Sequence, residues 1–277
     1  MLNRGRAEAS LPATRTGALV VSLRFIGTGG ARWVVAKQIR SSGGFWLQAD
    51  GTNVHVDPGP GALVRALSQL PPCDPATLDA IVLSHKHLDH SGDVNAMIEA
   101  MCQGGWRPRG ALCAPRDALD ESMQPVVLPY ARRFVPRECV LEANGGPWAL
   151  GGVELRTSLK LRHPVETYGL HFRTNGASVS YLPCTRWFDE IVEDFRAHAP
   201  DALVVNVLRY RDSMDVDHLT YDDARTLIEG VRPGAAIMTH FGTRMLERDP
   251  KRLASALEDA TGVKVFAAYD GWVYDVA

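Results

Sequence analysis

Lysine is scarce in this chain: only five of its 30 basic residues are lysine, and 32 acidic residues bring the net charge to −2. That balance excludes a global electrostatic pull toward nucleic acid or anionic membrane. The arginine bias suits phosphate and carboxylate recognition, although genome composition produces the same bias. Cysteine is sparse too. Cys73, Cys102, Cys113, Cys139 and Cys184 are an odd number without paired spacing, which argues against a disulfide framework. No apolar run approaches the length of a membrane span. The run ALVVSL stops at Arg24, too short for the core of a secretion signal. Residues 1–17 therefore read as a flexible tail, residues 18–277 as one domain, and the protein as cytoplasmic. Internal repeats, low-complexity blocks and linker-like stretches are also missing from 18–277.

What is present is an ordinary globular composition, 45% hydrophobic over 277 residues, enough to bury a sizeable core. GALVVSLRFIG (17–27) reads as a first strand. FWLQA and VHV read as a hairpin turning at DGTN, and Asn175-Gly176 is the strongest hairpin signal in the chain. LDAIVLS (78–84) is a short apolar run consistent with a buried strand. Helical spacing marks 61–70, 91–105 (capped by Ser91 or Asp93), 187–198, 219–231 and 249–262, the last with Asp249 as cap and Pro250 at the first helical position. The irregular stretch 105–142 holds one strand, ALCA, and a short helix. The order is strand-rich then helical, twice over. It predicts an α+β fold in which two sheets pack face to face with helices outside, αββα.

The sharpest signal is LSHKHLDHSGD, which contains His-x-His-x-Asp-His. A strand ending at Ser84 releases the chain into a tight turn, where His85 and His87 can point the same way and share one metal. Asp89 and His90 then face a second ion about 3.5–4 Å away. Imidazole with carboxylate suits zinc, and also manganese or iron. The bland alternative is a solvated, His-rich turn. Further ligands are needed, and His163, His218 and His240 each stand at the end of a predicted element. His55, His171 and His198 lie inside runs or on a helix face and read as structural or exposed.

These residues resemble the metallo-β-lactamase superfamily, and within it the ribonuclease Z branch. The likeness covers roughly residues 22–275: FIGTGGAR, HVDPGPG with Asp57, SHKHLDH, LRHPVETYGLHF with His163, LPCTR, DHLTYDDARTLI with His218 and MTHFGTR with His240. The resemblance implies that His85, His87 and His163 bind a first metal and that Asp89, His90 and His240 bind a second. It places position 184 as a bridge and Asp57 behind the ligands, orienting one of them. A hydroxide shared by one or two zinc ions (or manganese or iron) would attack, held or deprotonated by Asp89. His218 would stabilise the transition state or protonate the leaving oxygen. Arg186 and Arg244 match family arginines and could contact phosphate; the bland reading of each is a surface ion pair. A small phosphodiester or RNA is the implied substrate and a homodimer the implied assembly.

Two departures stand out. Position 184 is cysteine in Tyr181-Leu-Pro-Cys-Thr-Arg186, where ribonuclease Z has aspartate. A thiolate ligates zinc well, bridges differently from carboxylate and is oxidisable. In addition, only about twenty residues separate His163 from Cys184, an interval in which ribonuclease Z usually inserts its tRNA-binding arm. The arm is missing, which disfavours tRNA. The alternatives are a hydrolase of esters, thioesters, lactones or β-lactams on the same scaffold, a diiron redox protein (disfavoured by His87 in place of glutamate), and a non-catalytic metal-binding relic.

Overall fold

The computed structural model describes residues 21–211 and 216–276; the tail expected over 1–17 lies outside them. The first half runs β1 (Val21–Phe25), α1 (Ala31–Ala36), β2 (Phe45–Ala49), β3 (Thr52–Val56), α2 (Ala62–Leu67), β4 (Ala80–Val82), α3 (Leu88–Ser91) and α4 (Val94–Met101). It continues with β5 (Ala111–Pro115), α5 (Arg116–Leu119), α6 (Pro129–Arg132) and β6 (Arg137–Leu141). The second half runs β7 (Trp148–Leu150), β8 (Val153–Lys160), β9 (Tyr168–Arg173), β10 (Ser178–Leu182), α7 (Glu190–Ala197) and β11 (Ala202–Asn206). It closes with α8 (Tyr221–Val231), β12 (Ala235–Thr239), α9 (Thr243–Leu246), α10 (Pro250–Thr261), β13 (Lys264–Ala267) and β14 (Val273–Val276).

The strands form two seven-stranded sheets, ordered β14-β1-β2-β3-β4-β5-β6 and β13-β12-β11-β10-β9-β8-β7. Strands β3 to β6 are mutually parallel, as are β10 to β13. The central ones, β4, β5, β11 and β12, are covered on both faces, which is why they read as nearly unbroken apolar runs. Val82 enters the core between the sheets, while its neighbours Ile81 and Leu83 pack outward against Met97, Ile98 and Met101 of α4. In the same way Val204 faces inward, and Leu203 and Val205 face Ile191, Phe195 and Leu227 of α7 and α8. Three apolar layers thus separate four layers of structure, the αββα sandwich.

Local chemistry explains most boundaries. Asp249 accepts from Lys251 N at 3.1 Å and caps α10. Thr220 and Asp223 form a reciprocal capping box on α8. The single helix expected from residue 91 is instead two. Helix α3 starts inside the histidine motif, and Asp93 does not cap α4 because its carboxylate accepts from Leu63 N at 3.0 Å. Helix α7 begins at Glu190, after Arg186 N has bonded Arg162 O at 2.8 Å and held the chain extended.

The parallel arrangement has one consequence for chemistry. Residues following β3, β4, β8, β10 and β12 (Asp57, His85, His163, Cys184 and His240) all emerge at one end of the sandwich, the carboxyl end where open α/β sheets place ligands.

Candidate metal centre

Asp57 lies at the base of the centre. Its buried carboxylate accepts from Ser84 N at 2.7 Å, Ser84 Oγ at 2.6 Å, His90 Nδ1 at 2.9 Å and Tyr181 OH at 3.0 Å. Each contact fixes something nearer the centre. Because the Ser84 hydroxyl donates to Asp57, its oxygen accepts from His85 Nδ1, 3.0 Å away. That leaves His85 Nε2 without a proton, and it is buried with no partner. His90 Nδ1 is likewise held by Asp57, which leaves Nε2 as the atom turned to the centre. His163 Nδ1 donates to the carbonyl of Asp217 at 3.0 Å, which frees its Nε2.

The nitrogens turned to the centre converge. His163 Nε2 is 2.9 Å from His87 Nδ1, and His90 Nε2 is 3.0 Å from His240 Nε2. Asp89 Oδ2 is 3.3 Å from His240 Nε2, and Cys184 Sγ lies 3.5 Å from His90 Nε2 and 3.6 Å from His240 Nε2. Three groups could each hold an ion: His85, His87 and His163; His85, His90 and Cys184; Asp89, His90 and His240. His85 and His90 each belong to two of them, so the groups are contiguous. Ligand atoms gathered at such distances, with the second ring nitrogens of His85, His90 and His163 held by Ser84, Asp57 and the Asp217 carbonyl, fit a cation.

The electrostatics agree. Burial drives His85, His87 and His163 toward the neutral form that ligates, with pKa values near 4 for His87 and 3 for His163. Burial alone would raise the Cys184 thiol. The positive charge of His240 and His90 overrides it and holds the thiol well below its usual range. Burial opposes charging of His240, yet the thiolate and Asp89 lift its pKa to about 9. His90 is raised for the same reason, with Asp57 adding to the effect. Clustered anionic ligands that raise neighbouring imidazoles in this way would equally favour a divalent cation in their place.

Backbone geometry is also committed here. Asp57 and His240 adopt left-handed φ angles of 53° and 59°, uncommon for such residues and found where surrounding structure over-determines them. A Cβ on Gly30 would stand 2.3 Å from His240 Nδ1. Glycine at that position of the FIGTGGAR loop lets the loop pass behind the histidine ring.

The other expected residues fall as follows. His218 stands beside the centre, its ring centroid 5.3 Å from that of His163 and 6.1 Å from that of His240, with Nδ1 buried and unpartnered. Arg186 Nε donates to Asp217 Oδ1 at 2.8 Å, so it grips the residue preceding His218. Arg244 is 76% exposed and pairs with Glu247 at 3.1 Å. His55 is buried and bonds Gly43 O at 2.7 Å, and His171 stacks on His198. Sequence reasoning missed three residues: Ser84, Tyr181 and Asn206. Asn206 Nδ2 donates to Tyr181 OH at 3.1 Å and to Cys184 Sγ at 3.4 Å. Its signal was a lone polar residue ending the apolar strand DALVVNV.

Residues 52–241 match the family model described as the beta-lactamase superfamily domain. The chain is 30% identical over 257 residues to an uncharacterized protein of Methanocaldococcus jannaschii, covering 90% of this chain and 92% of that one. It is 24% identical over 206 residues to the probable metallo-hydrolase YhfI of Bacillus subtilis, covering 73% of this chain and 80% of that one. The crystal structure of YhfI superposes with a TM-score of 0.74 at 20% identity, over 92% of this chain and 99% of that one. Human tRNase Z, short form, superposes with a TM-score of 0.65 at 18% identity, over 92% and 99%. The chain belongs to the metallo-β-lactamase superfamily of hydrolases.

Proposed function

We propose that this protein is a metal-dependent phosphodiesterase of ribonuclease Z type, acting on a small phosphodiester or an RNA end. The observation that carries the reading is His218. It belongs to none of the three groups able to hold an ion, yet its ring stands against both His163 and His240 with Nδ1 buried and unpartnered. An imidazole so placed can donate a proton to a departing oxygen, the demand a phosphodiester makes.

His85, His87 and His163 would hold one ion, and Asp89, His90 and His240 a second, with Cys184 between them. Zinc, manganese or iron bound there would supply a Lewis acid that acidifies water and polarises the scissile group; the soft thiolate of Cys184 favours zinc. Asp89, 20% exposed and 3.3 Å from His240 Nε2, would be placed to hold or deprotonate the attacking water. His218 protonates the leaving oxygen. Arg186 holds Asp217 and thereby the approach of His218. Between His163 and Cys184 the chain builds only β9 and β10, with no projecting arm to grip a folded RNA, which favours a small substrate.

The test is turnover of bis(p-nitrophenyl) phosphate by metal-loaded protein, run beside a panel of lactones, thioesters and a chromogenic β-lactam. Phosphodiester turnover that depends on zinc or manganese is expected. Turnover confined to the carbonyl substrates overturns the reading.

A further inference from the structure

A second cleft lies on the outer face of the second sheet, at the opposite end of β8 and β10 from the metal centre. Its walls are consecutive outward-facing residues of three strands. Arg156 pairs in register with His171 and Glu154 with Arg173, while Ser180 pairs with His171 and Ser178 with Arg173. The end of α7 closes it with Ala197 and His198. The cavity measures about 330 Å³, at the small end of ligand sites. From Ser178 to Cys184 is six residues, roughly 20 Å of strand, so the two sites do not overlap.

The chemistry of the walls narrows the ligand. Arg156 has Nε committed to Glu154 at 2.9 Å, leaving its terminal amino groups. Arg173 is exposed and has no ion pair among the described residues. The carboxylate lining the cleft is thus already paired, and Arg173 brings positive charge that is not. Two more carboxylates stand close by. Asp194 lies behind His171, its Oδ1 accepting from Leu159 N at 3.3 Å and its Oδ2 3.7 Å from His171 Nε2, and Asp201 accepts from Ser178 N at 2.7 Å. His171 and His198 do not make a metal site. Their rings are stacked 3.6 Å apart at 10°, and two nearly parallel planes so separated contain no common point where one ion could meet both lone pairs. Burial keeps both imidazoles below their usual range, His198 near 4, so they offer neutral polar edges beside the guanidinium pair.

We propose that this cleft binds a phosphate group, free or as a small monoester, between Arg156 and Arg173. Two planar guanidinium forks on adjacent strands match the oxygens of a phosphate dianion. The remaining cavity exceeds a lone phosphate and accommodates an organic substituent beside His198 and Ala197. The site is separate from the proposed hydrolytic reading and stands whether or not that reading holds.

The experiment titrates metal-loaded protein with inorganic phosphate and, separately, phenyl phosphate, following the histidine ring signals by NMR. Saturable shifts of the His171 and His198 signals are expected, distinct from any at the metal centre. Arg173→Ala should weaken those shifts about tenfold and Arg173→Lys less, with thermal midpoint and basal hydrolytic turnover unchanged. Tighter binding of phenyl phosphate identifies the monoester as the fitting ligand, and equal binding identifies free phosphate. Shifts confined to metal-centre histidines, or equal affinity in Arg173→Ala, overturn the proposal.

Discussion

Replacing Asp57 with asparagine tests how the ligands are oriented. Three donors converge on Asp57 Oδ2 (Ser84 Oγ, His90 Nδ1 and Tyr181 OH) and one, Ser84 N, reaches Oδ1. Asparagine keeps the shape, loses the charge and brings an amide that donates. The two hydroxyls can rotate away, but the imidazole cannot. With the amide nitrogen in place of Oδ2, His90 must move its proton from Nδ1 to Nε2, the atom that faces His240 at 3.0 Å. A flipped amide instead confronts Ser84 N with a second donor. Hydrogen bonds to a charged group contribute about 1.5–3 kcal/mol each. Losing two of them costs about 3–6 kcal/mol of unfolding free energy in metal-free protein. Misorienting a ligand from behind weakens metal binding about 10–100-fold. Denaturant titration measures the first effect. Competition against a zinc chelator measures the second. An Asp57→Asn protein that holds zinc within twofold of wild type would refute the reasoning.

Four further outcomes are expected. Cys184→Ala should lower the metal-to-protein ratio in protein purified without chelator, and unchanged stoichiometry would remove Cys184 from the ligand set. His218→Ala should retain its metal but lose about 10²–10⁴-fold in phosphodiester turnover, the range for a positioned proton donor; equal loss of metal would make it a ligand instead. Gly30→Ala places a methyl 2.3 Å from His240 Nδ1 and should weaken metal binding without unfolding the sheets, read by chelator competition and circular dichroism. His55 is buried with its pKa lowered from 6.5 to about 4. The unfolded chain therefore binds this proton first, and stability is full above about pH 6.5 and declines as pH falls toward 4. The loss amounts to about 3 kcal/mol from this group; a denaturation midpoint that is flat over that range in metal-free protein would contradict it.

Much of this molecule is legible in its sequence because the deciding interactions are local. The FWLQA–VHV hairpin, the Asn175-Gly176 turn and the Asp249-Pro250 start of α10 each depend on a few adjacent residues and each emerged, although the first hairpin turns at Asp50-Gly51 alone, with Thr52 and Asn53 of the expected DGTN turn paired in β3. The spacing of His85, His87, Asp89 and His90 is likewise set within two turns of chain, so their convergence follows from the motif itself. Asp93 does stand at the N-cap position of α4, but its carboxylate is claimed by Leu63 N some thirty residues away, and the turn of helix α3 that precedes it inside the histidine motif went unread.

What the tertiary structure alone decided lies across such distances. Tyr181 reaches Asp57 across 124 positions and His240 reaches His90 across 150. Asn206 meets Cys184 only because β10 and β11 run parallel and end together. The motif determined that a cation site begins after β4. Packing of two sheets decided which distant strand ends complete it, which proton each imidazole keeps, and that Arg186 spends its Nε on Asp217. Spacing along a chain fixes what one turn can present, whereas convergence between turns is fixed by sheet register and the burial that holds it.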